Sequence, residues 1–287
     1  MPELPEVETL RRELAVELTG LSIKTAELLT PKILSGVAGH GLGDVVGASV
    51  VAARRRAKYL ILDVSNGFSI VIHLSLAGQI VVDRPSGTRK SGGHPVPAYT
   101  AALPHKQTHA IFTFDDGSIL YLTDIRKFMH LWVVPTVDVG LVVPEDRLGV
   151  EIADAGFTFD EFRHRVQRRL SARLKPLLLD QSVVAGLGNI YVDESLWGAG
   201  LHPERTVASL SDDDLVRLHA SIRDVISLAL VNGVAQIKNG KAVDGAELPR
   251  IHGREGQPCP RCGHPIEKYR VVGRGTYICP VCQPIGN

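Results

Sequence analysis

The sequence predicts an α+β fold: an N-terminal helix on an antiparallel β-sandwich, then a helical domain ending in a cysteine-bearing β-hairpin. Three observations carry this. The chain opens on a helix-start pattern, residues from about 21 to 134 are dominated by short β-rich runs, and all four cysteines fall after residue 258. At 287 residues, 44% hydrophobic and 22% charged, the chain is long enough for two domains with cores of their own.

The opening "MPELPEVETLRREL" places Pro5 to start a helix, with Glu6 and Glu8 at the positive end of its dipole. Val7, Leu10, Leu14 and Leu18 recur at three- and four-residue spacing and predict a buried stripe. This explains the chain from Pro5 onward and leaves Pro2-Glu3 without a structural reason.

The runs "VVGASVVAARR", "KYLILDV", "FSIVIHLSL" and "AIFTFDDGSILYLTD" follow, the last with Asp116-Gly117 between alternating strands, a hairpin signal. Residues 84–106 are rich in Pro, Gly and Ser and read as a mobile loop. An antiparallel sandwich or barrel, with the opening helix packed on it, satisfies this pattern. After "VPEDRLG" the periodicity turns helical. "FDEFRHRVQRRL" is amphipathic, and Ser211-x-x-Asp214 forms a capping box ahead of Leu215, Leu218, Ile222, Ile226 and Ala229. The expected divisions are 1–134, a linker over 135–150, 151–250 and 251–287. There is no internal repeat.

The apolar runs are too short to span a bilayer, and the N-terminus lacks a basic-then-apolar leader, so an intracellular protein is expected. Net charge is +1, which neither demands nor excludes a nucleic-acid partner. The basic residues are nevertheless clustered, at Arg54–Lys58, at Arg163–Lys175 and after Arg254. Such segregation suits a basic groove and equally a solvated helix face.

The cysteines form two knuckles, Cys259-x2-Cys262 and Cys279-x2-Cys282, with sixteen residues between them. Each knuckle supplies two adjacent corners of a tetrahedron, as structural zinc requires. Disulfides are disfavoured inside cells, and an iron–sulfur cluster is the other thiolate-bound alternative.

Five stretches, taken together and in order, identify a resemblance: "MPELPEVETLRREL", "RRRAKYLILDV", "TDIRKF", "LDQSVVAGLGNIYVDESLW…GLHPER" and "GREGQPCPRCGHPIEKYRVVGRGTYICPVCQ". They resemble the bacterial formamidopyrimidine-DNA glycosylases of the formamidopyrimidine-DNA glycosylase / endonuclease VIII family, over essentially the whole chain. Leu4 sides with the former group, since the endonuclease VIII group typically reads Pro-Glu-Gly-Pro-Glu. The resemblance implies a catalytic β-sandwich, a helix-two-turns-helix DNA-binding domain and a β-hairpin zinc finger holding one structural zinc. It implies a monomeric enzyme of DNA base-excision repair in the bacterial cytoplasm, at the nucleoid through its DNA. The expected partner is double-stranded DNA carrying damaged bases or abasic sites.

Pro2-Glu3 now has a chemical reading. Removal of Met1 makes Pro2 a secondary amine with a free nitrogen. An α-amino group titrates near pH ~8, far below lysine, so a useful fraction is neutral and nucleophilic. Attack at the sugar's anomeric carbon displaces the base and leaves an iminium, which acidifies the neighbouring C–H and permits β-elimination. Glu3 beside it is placed to move protons. The resemblance assigns both residues those roles.

The resemblance also implies that Lys58 contacts phosphate and assists β-elimination, and that Asn189 clamps a phosphate at a helix start. It further implies that Arg274, in the finger's turn, grips the lesion-flanking phosphate and assists δ-elimination. A solvated strand lysine, a helix N-cap and a turn arginine are the plainer readings. His73 and His109 are expected DNA contacts, with Gln107 standing where the family has a histidine. Arg126 and Phe128, with Leu76 in place of a methionine, are expected to fill the gap left by a flipped base. Ile125 and Met129 depart from the family's loop. The segment "NGVAQIKNGKAVDGAELPRIHGREG" is shorter than the family's hydroxyl-rich counterpart, which covers flipped 8-oxoguanine. Three other readings stay in view: an endonuclease VIII-like enzyme for oxidised pyrimidines, a damage-binding protein without catalysis, and a zinc-ribbon interaction module.

Overall fold

The computed structural model describes residues 2–36, 39–238 and 240–285. The chain divides into two compact units, Met1–Asp146 and Arg147–Asn287.

In the first unit, helix α1 (Leu4–Leu18) is preceded by Glu3 as its N-cap, and Glu6 completes a capping box. Pro5 sits at the second helical position rather than the first. Its missing N–H costs nothing there, because the first turn's N–H groups have no helical partner. The stripe is as expected: Val7, Leu10, Leu14 and Leu18 are each 2% exposed or less.

Nine strands follow: β1 (Ile23–Leu28), β2 (Val50–Arg56), β3 (Tyr59–Val64), β4 (Phe68–His73), β5 (Gly78–Asp83), β6 (Arg89–Gly93), β7 (Thr108–Phe114), β8 (Ile119–Asp124) and β9 (His130–Pro135). They form two sheets, ordered β1-β7-β8-β5-β6 and β2-β3-β4-β9, with every neighbouring pair antiparallel. Alternate residues of both sheets enter one core, among them Leu60, Leu62, Ile70 and Ile72 from one and Ile80, Val82, Phe112 and Leu122 from the other. This is the sandwich, with the α1 stripe in the same core.

The segment 84–106, read as a mobile loop, instead contains edge strand β6. Arg89 explains the order. Its guanidinium pairs with Asp83 at 2.6 Å and donates to the carbonyls of Tyr99 and Ala101 at 3.0 and 2.7 Å. Gly92 on this strand lets α1 sit close, because an added Cβ would lie 2.7 Å from the Leu10 side chain.

In the second unit, two-residue strands β10 (Val150–Glu151) and β11 (Val184–Ala185) pair in parallel. The helices are α2 (Phe159–Gln167), α3 (Leu174–Leu179), α4 (Asn189–Ala199) and α5 (Asp212–Asn232). Ser211 and Asp214 form the expected capping box on α5. A small hairpin, β12 (Ile237–Lys238) with β13 (Lys241–Ala242), precedes the terminal hairpin β14 (Glu267–Val271) and β15 (Arg274–Ile278). No helix among the described residues is long and apolar enough to cross a membrane.

Candidate active site and nucleic-acid interface

Pro2 and Glu3 precede α1, with Glu3 in extended backbone at φ −112° and ψ −171°. Both are buried, Glu3 at 1% exposure, and Met1 lies outside the described residues. The Glu3 N–H donates to the Glu6 carboxylate at 2.8 Å. The α1 stripe thus anchors this dipeptide from behind, with the positive end of the helix dipole directed at it.

Lys58 is buried rather than solvated on a strand, at 9% exposure. It occupies the two-residue turn between β2 and β3, after Ala57, which adopts φ +50°. His73, at the end of β4, packs its ring 4.7 Å from that of Tyr59 and shares a hydrogen bond of 3.0 Å with the Ser75 hydroxyl. Burial, reinforced by the Lys58 charge, pushes its pKa down to about 4. At neutral pH His73 is therefore an uncharged donor or acceptor beside a cation. Tyr99 was not anticipated. Burial, then the charges of Glu6 and Glu13, pushes its phenol up to about 12.

The loop after β8 is built around Asp124. Its carboxylate accepts N–H bonds from Arg126, Phe128 and Met129 at 2.7, 2.8 and 2.7 Å. Met129 plugs into the core at 1% exposure, whereas Phe128 is 41% exposed. The Arg126 guanidinium lies 4.8 Å from the Phe128 ring centroid. Hence the departures at Ile125 and Met129 leave an ordered loop, tethered at its end by the methionine. Leu76 lies in the turn between β4 and β5, half-buried and outside the core cluster.

His109 is the exception among the expected contacts. It is 0% exposed, its Nε2 donates to the Asp124 carbonyl at 2.7 Å, and its Nδ1 accepts from the Thr30 hydroxyl at 2.9 Å. Both ring nitrogens are engaged inside the sandwich, so no ring atom is left to meet DNA. His109 supports the 124–129 loop from beneath.

In the second unit, Asn189 is the first residue of α4 and does not cap it; the N-cap is Gly188. Instead its amide Nδ2 crosses to the carbonyl of Gly275 at 2.9 Å, and its Oδ1 is buried with no hydrogen-bond partner. Arg274 is exposed at the start of β15, directly after the turn Val272-Gly273. Both turn residues have positive φ, 46° and 74°, as a tight two-residue hairpin requires.

A buried network, missed from the sequence, sits beneath. Lys175, 0% exposed, donates to Asp193 at 2.6 Å and to the Gly275 carbonyl at 2.9 Å. The second Asp193 oxygen meets His252 Nδ1 at 2.7 Å and accepts the Tyr277 N–H at 3.3 Å. Next to it, buried Glu194 accepts three backbone N–H groups, from Arg250, Ile251 and His252, at 2.7–3.0 Å. Local periodicity cannot show such bonds, because their partners are 18 to 100 residues apart.

Within the Arg163–Lys175 cluster, four arginines form ion pairs. Arg163 pairs with Asp212, Arg165 with Glu161, Arg169 with Asp180, and Arg173 with Glu204.

Cys259, Cys262, Cys279 and Cys282 bring their Sγ atoms within 4.8 Å of one another. Two of the separations are 3.9 and 3.4 Å. Tetrahedral zinc with bonds of ~2.3 Å requires about 3.8 Å between sulfurs, so the donor set fits. The Arg261 and Cys282 N–H groups point at Cys259 and Cys279 sulfurs, at 3.4 and 3.5 Å, as thiolates require. These cysteines are the ligands of one structural zinc.

Comparison with known proteins gives consistent results along the chain. Residues 1–131 match the Formamidopyrimidine-DNA glycosylase N-terminal domain, 148–240 the Formamidopyrimidine-DNA glycosylase H2TH domain, and 256–285 the zinc finger found in FPG and IleRS. A formamidopyrimidine-DNA glycosylase of Pelotomaculum thermopropionicum is 38% identical over 291 residues, covering 99% of this chain and 100% of the relative. Lactococcus lactis Fpg in complex with N7-benzyl-Fapy-dG DNA superimposes with a TM-score of 0.85 at 32% identity, covering 99% of this chain and 100% of that one. The same enzyme with oxidised-pyrimidine DNA gives 0.84 at 33% identity, with the same coverage.

Proposed function

The chain belongs to the formamidopyrimidine-DNA glycosylase family, and on that premise we propose that Pro2, made N-terminal by removal of Met1, is its catalytic nucleophile. The protein is a base-excision repair enzyme for oxidised purines, a DNA glycosylase with abasic-site lyase activity. The observation that carries the assignment of Pro2 is its position. It is buried and stands directly before Glu3, the N-cap of α1, at the positive end of that helix. The helix dipole lowers the amine's pKa further and so enlarges its neutral fraction.

The nitrogen lone pair attacks the anomeric carbon, the glycosidic bond breaks, and the base leaves with a proton relayed by Glu3. The bonded nitrogen then loses its proton and its lone pair expels the ring oxygen, which takes up a proton as the sugar opens. The product is a cationic iminium, since a secondary amine cannot form a neutral imine. Loss of the adjacent carbon-bound proton then expels the 3′ phosphate, and a second elimination expels the 5′ phosphate. Lys58, buried near neutral His73, holds phosphate and favours the first elimination; Arg274 favours the second. Asn189 presents its amide to the backbone. Arg126, Phe128 and Leu76 take the place of the flipped base. Zinc, when bound, supplies no chemistry to the reaction; its four cysteines hold the hairpin that carries Arg274.

This reading divides the chain into a catalytic sandwich over 1–134, a linker over 135–150, a DNA-binding helical domain over 151–250 and the finger over 251–287. It places the enzyme in the cytoplasm, at the nucleoid through its substrate. Oxidised pyrimidines are the second reading, because Lactococcus lactis Fpg has been captured with oxidised-pyrimidine DNA and the chemistry at the sugar is shared. Borohydride reduction on duplexes carrying each lesion distinguishes the readings. A covalent adduct on Pro2 supports the nucleophile, and the lesion that traps fastest names the substrate class.

A further inference from the structure

Arg55 is the second residue before the Ala57 carbonyl that it holds. Its Nη1 donates to that carbonyl at 2.9 Å, while its Nε donates to Glu8 at 3.1 Å. The side chain is 5% exposed. Glu8 lies on α1 and is gripped as well by Arg11 and Arg12, at 2.9–3.0 Å. Although burial opposes ionisation of Glu8, these arginines hold its carboxyl below the usual range.

Ala57 needs such support. At φ +50° it occupies the left-handed region, which is strained for an L-residue with a Cβ. Lys58 follows it directly, and its ammonium direction depends on that turn. On the other side, Glu8 is rigidly connected to Glu3, because five helical residues span only about 7.5 Å of one continuous helix. The chain of connections is Glu3, α1, Glu8, Arg55, the Ala57 carbonyl and Lys58.

We propose that Arg55, braced by Glu8, is a positioning residue that maintains the left-handed Ala57 turn and thereby aims Lys58 toward the Pro2–Glu3 pair. The proposal rests on the family reading of Lys58. Glycine adopts the turn's φ without strain, so it makes the brace dispensable. A lysine at position 55 can satisfy Glu8 but lacks the fork that reaches the Ala57 carbonyl at the same time.

The test uses full-length zinc-loaded enzyme and abasic duplex, measuring single-turnover β-elimination and borohydride trapping separately. Wild-type protein must trap; failure there overturns the nucleophile reading and this proposal with it. Arg55→Met and Arg55→Lys are expected to slow elimination about tenfold, with trapping reduced far less. Ala57→Gly, added to either, is expected to restore the rate to within about threefold. Arg11 and Arg12 still pair with Glu8 in both variants, which keeps that buried carboxylate compensated. Should Arg55→Met fail to fold, Arg55→Lys carries the test alone. Undiminished elimination in Arg55→Lys, or a loss that Ala57→Gly does not restore, overturns the proposal.

Discussion

The amide of Asn189 and the ammonium of Lys175 donate to one acceptor, the carbonyl of Gly275, each at 2.9 Å. The residue before that carbonyl is Arg274. The start of α4 and the tip of the finger hairpin are therefore joined at a single backbone atom, which sets the register of two expected phosphate contacts together. Asp193 closes the arrangement by neutralising Lys175 and accepting the Tyr277 N–H.

Asp193→Asn is expected to be strongly destabilising, because it leaves a fully buried ammonium without its counter-charge. Breaking a buried pair costs about 3–5 kcal/mol. Replacing both partners, as Lys175→Met with Asp193→Leu, is expected to recover much of the stability and little of the DNA affinity, since the Gly275 tether stays lost. Denaturant unfolding and DNA titration on the same variants check this. A double variant less stable than Asp193→Asn would show that charge burial is not the dominant effect.

Arg274→Ala and Asn189→Ala are expected to weaken lesion-DNA binding about tenfold each, by different physics. Loss of a cationic phosphate contact lowers the slope of log affinity against log salt by about 0.9, whereas loss of a neutral amide leaves it unchanged. Arg274→Ala should also accumulate the product of the first elimination. Salt titrations that move both slopes alike would refute the distinction.

Metal analysis should find one zinc per chain, and substituting Cys279 by Ser should remove it. Without metal the hairpin loses the cross-link that holds β14 to β15 from below, so DNA affinity falls together with zinc content. Metal-free protein that still binds abasic duplex at wild-type affinity would contradict this.

Borohydride should link the protein to abasic DNA through its N-terminal residue. Pro2→Gly, or an extra residue retained ahead of Pro2, should reduce trapping by orders of magnitude, because the reactive lone pair is lost or displaced. Peptide mapping decides: an adduct on Lys58 would reassign the nucleophile.

The features legible from sequence are those whose cause is local. The Asp116-Gly117 hairpin is made by the turn from Phe114 to Gly117, closed where Gly117 takes φ +85°, and Ser211 with Asp214 caps α5 within one turn. The cysteine knuckles are similarly self-contained. Strand β6 was not legible because Arg89 orders it by reaching Tyr99 and Ala101, across a stretch whose composition reads as loop. His109 looked available for DNA because its partners, Thr30 and Asp124, meet it only in the folded sandwich. The basic run at 163–175 fitted a groove and a solvated helix face equally from sequence, because its acidic partners include Asp180, Glu204 and Asp212, which sequence proximity does not pair with it.

A substrate preference is expected from the segment 232–250, which contains no Ser, Thr, Tyr or Phe. It begins at Asn232, the last residue of α5, and contains the short β12–β13 hairpin; residue 239 is not described. The Gln236 N–H bonds to the Leu248 carbonyl and the Val243 N–H to that of Gln236, both at 3.0 Å. Its backbone is thus partly engaged with itself, and its side chains offer no hydroxyl to a flipped base. On the proposed mechanism the nucleophile attacks the sugar whatever the base, so discrimination must arise from contacts to the base and from how easily the lesion leaves the stack. Each missing hydrogen bond is worth about 0.5–1.5 kcal/mol, so two or three lower discrimination about ten- to a thousand-fold. An opened formamidopyrimidine or an abasic site asks less of such a cap than intact 8-oxoguanine does. Efficient cleavage of formamidopyrimidine and abasic duplexes is expected, with slower excision of 8-oxoguanine. Single-turnover rates measured side by side test this, and excision of 8-oxoguanine opposite cytosine at an equal or faster rate would show that the hydroxyl-poor segment does not set the preference.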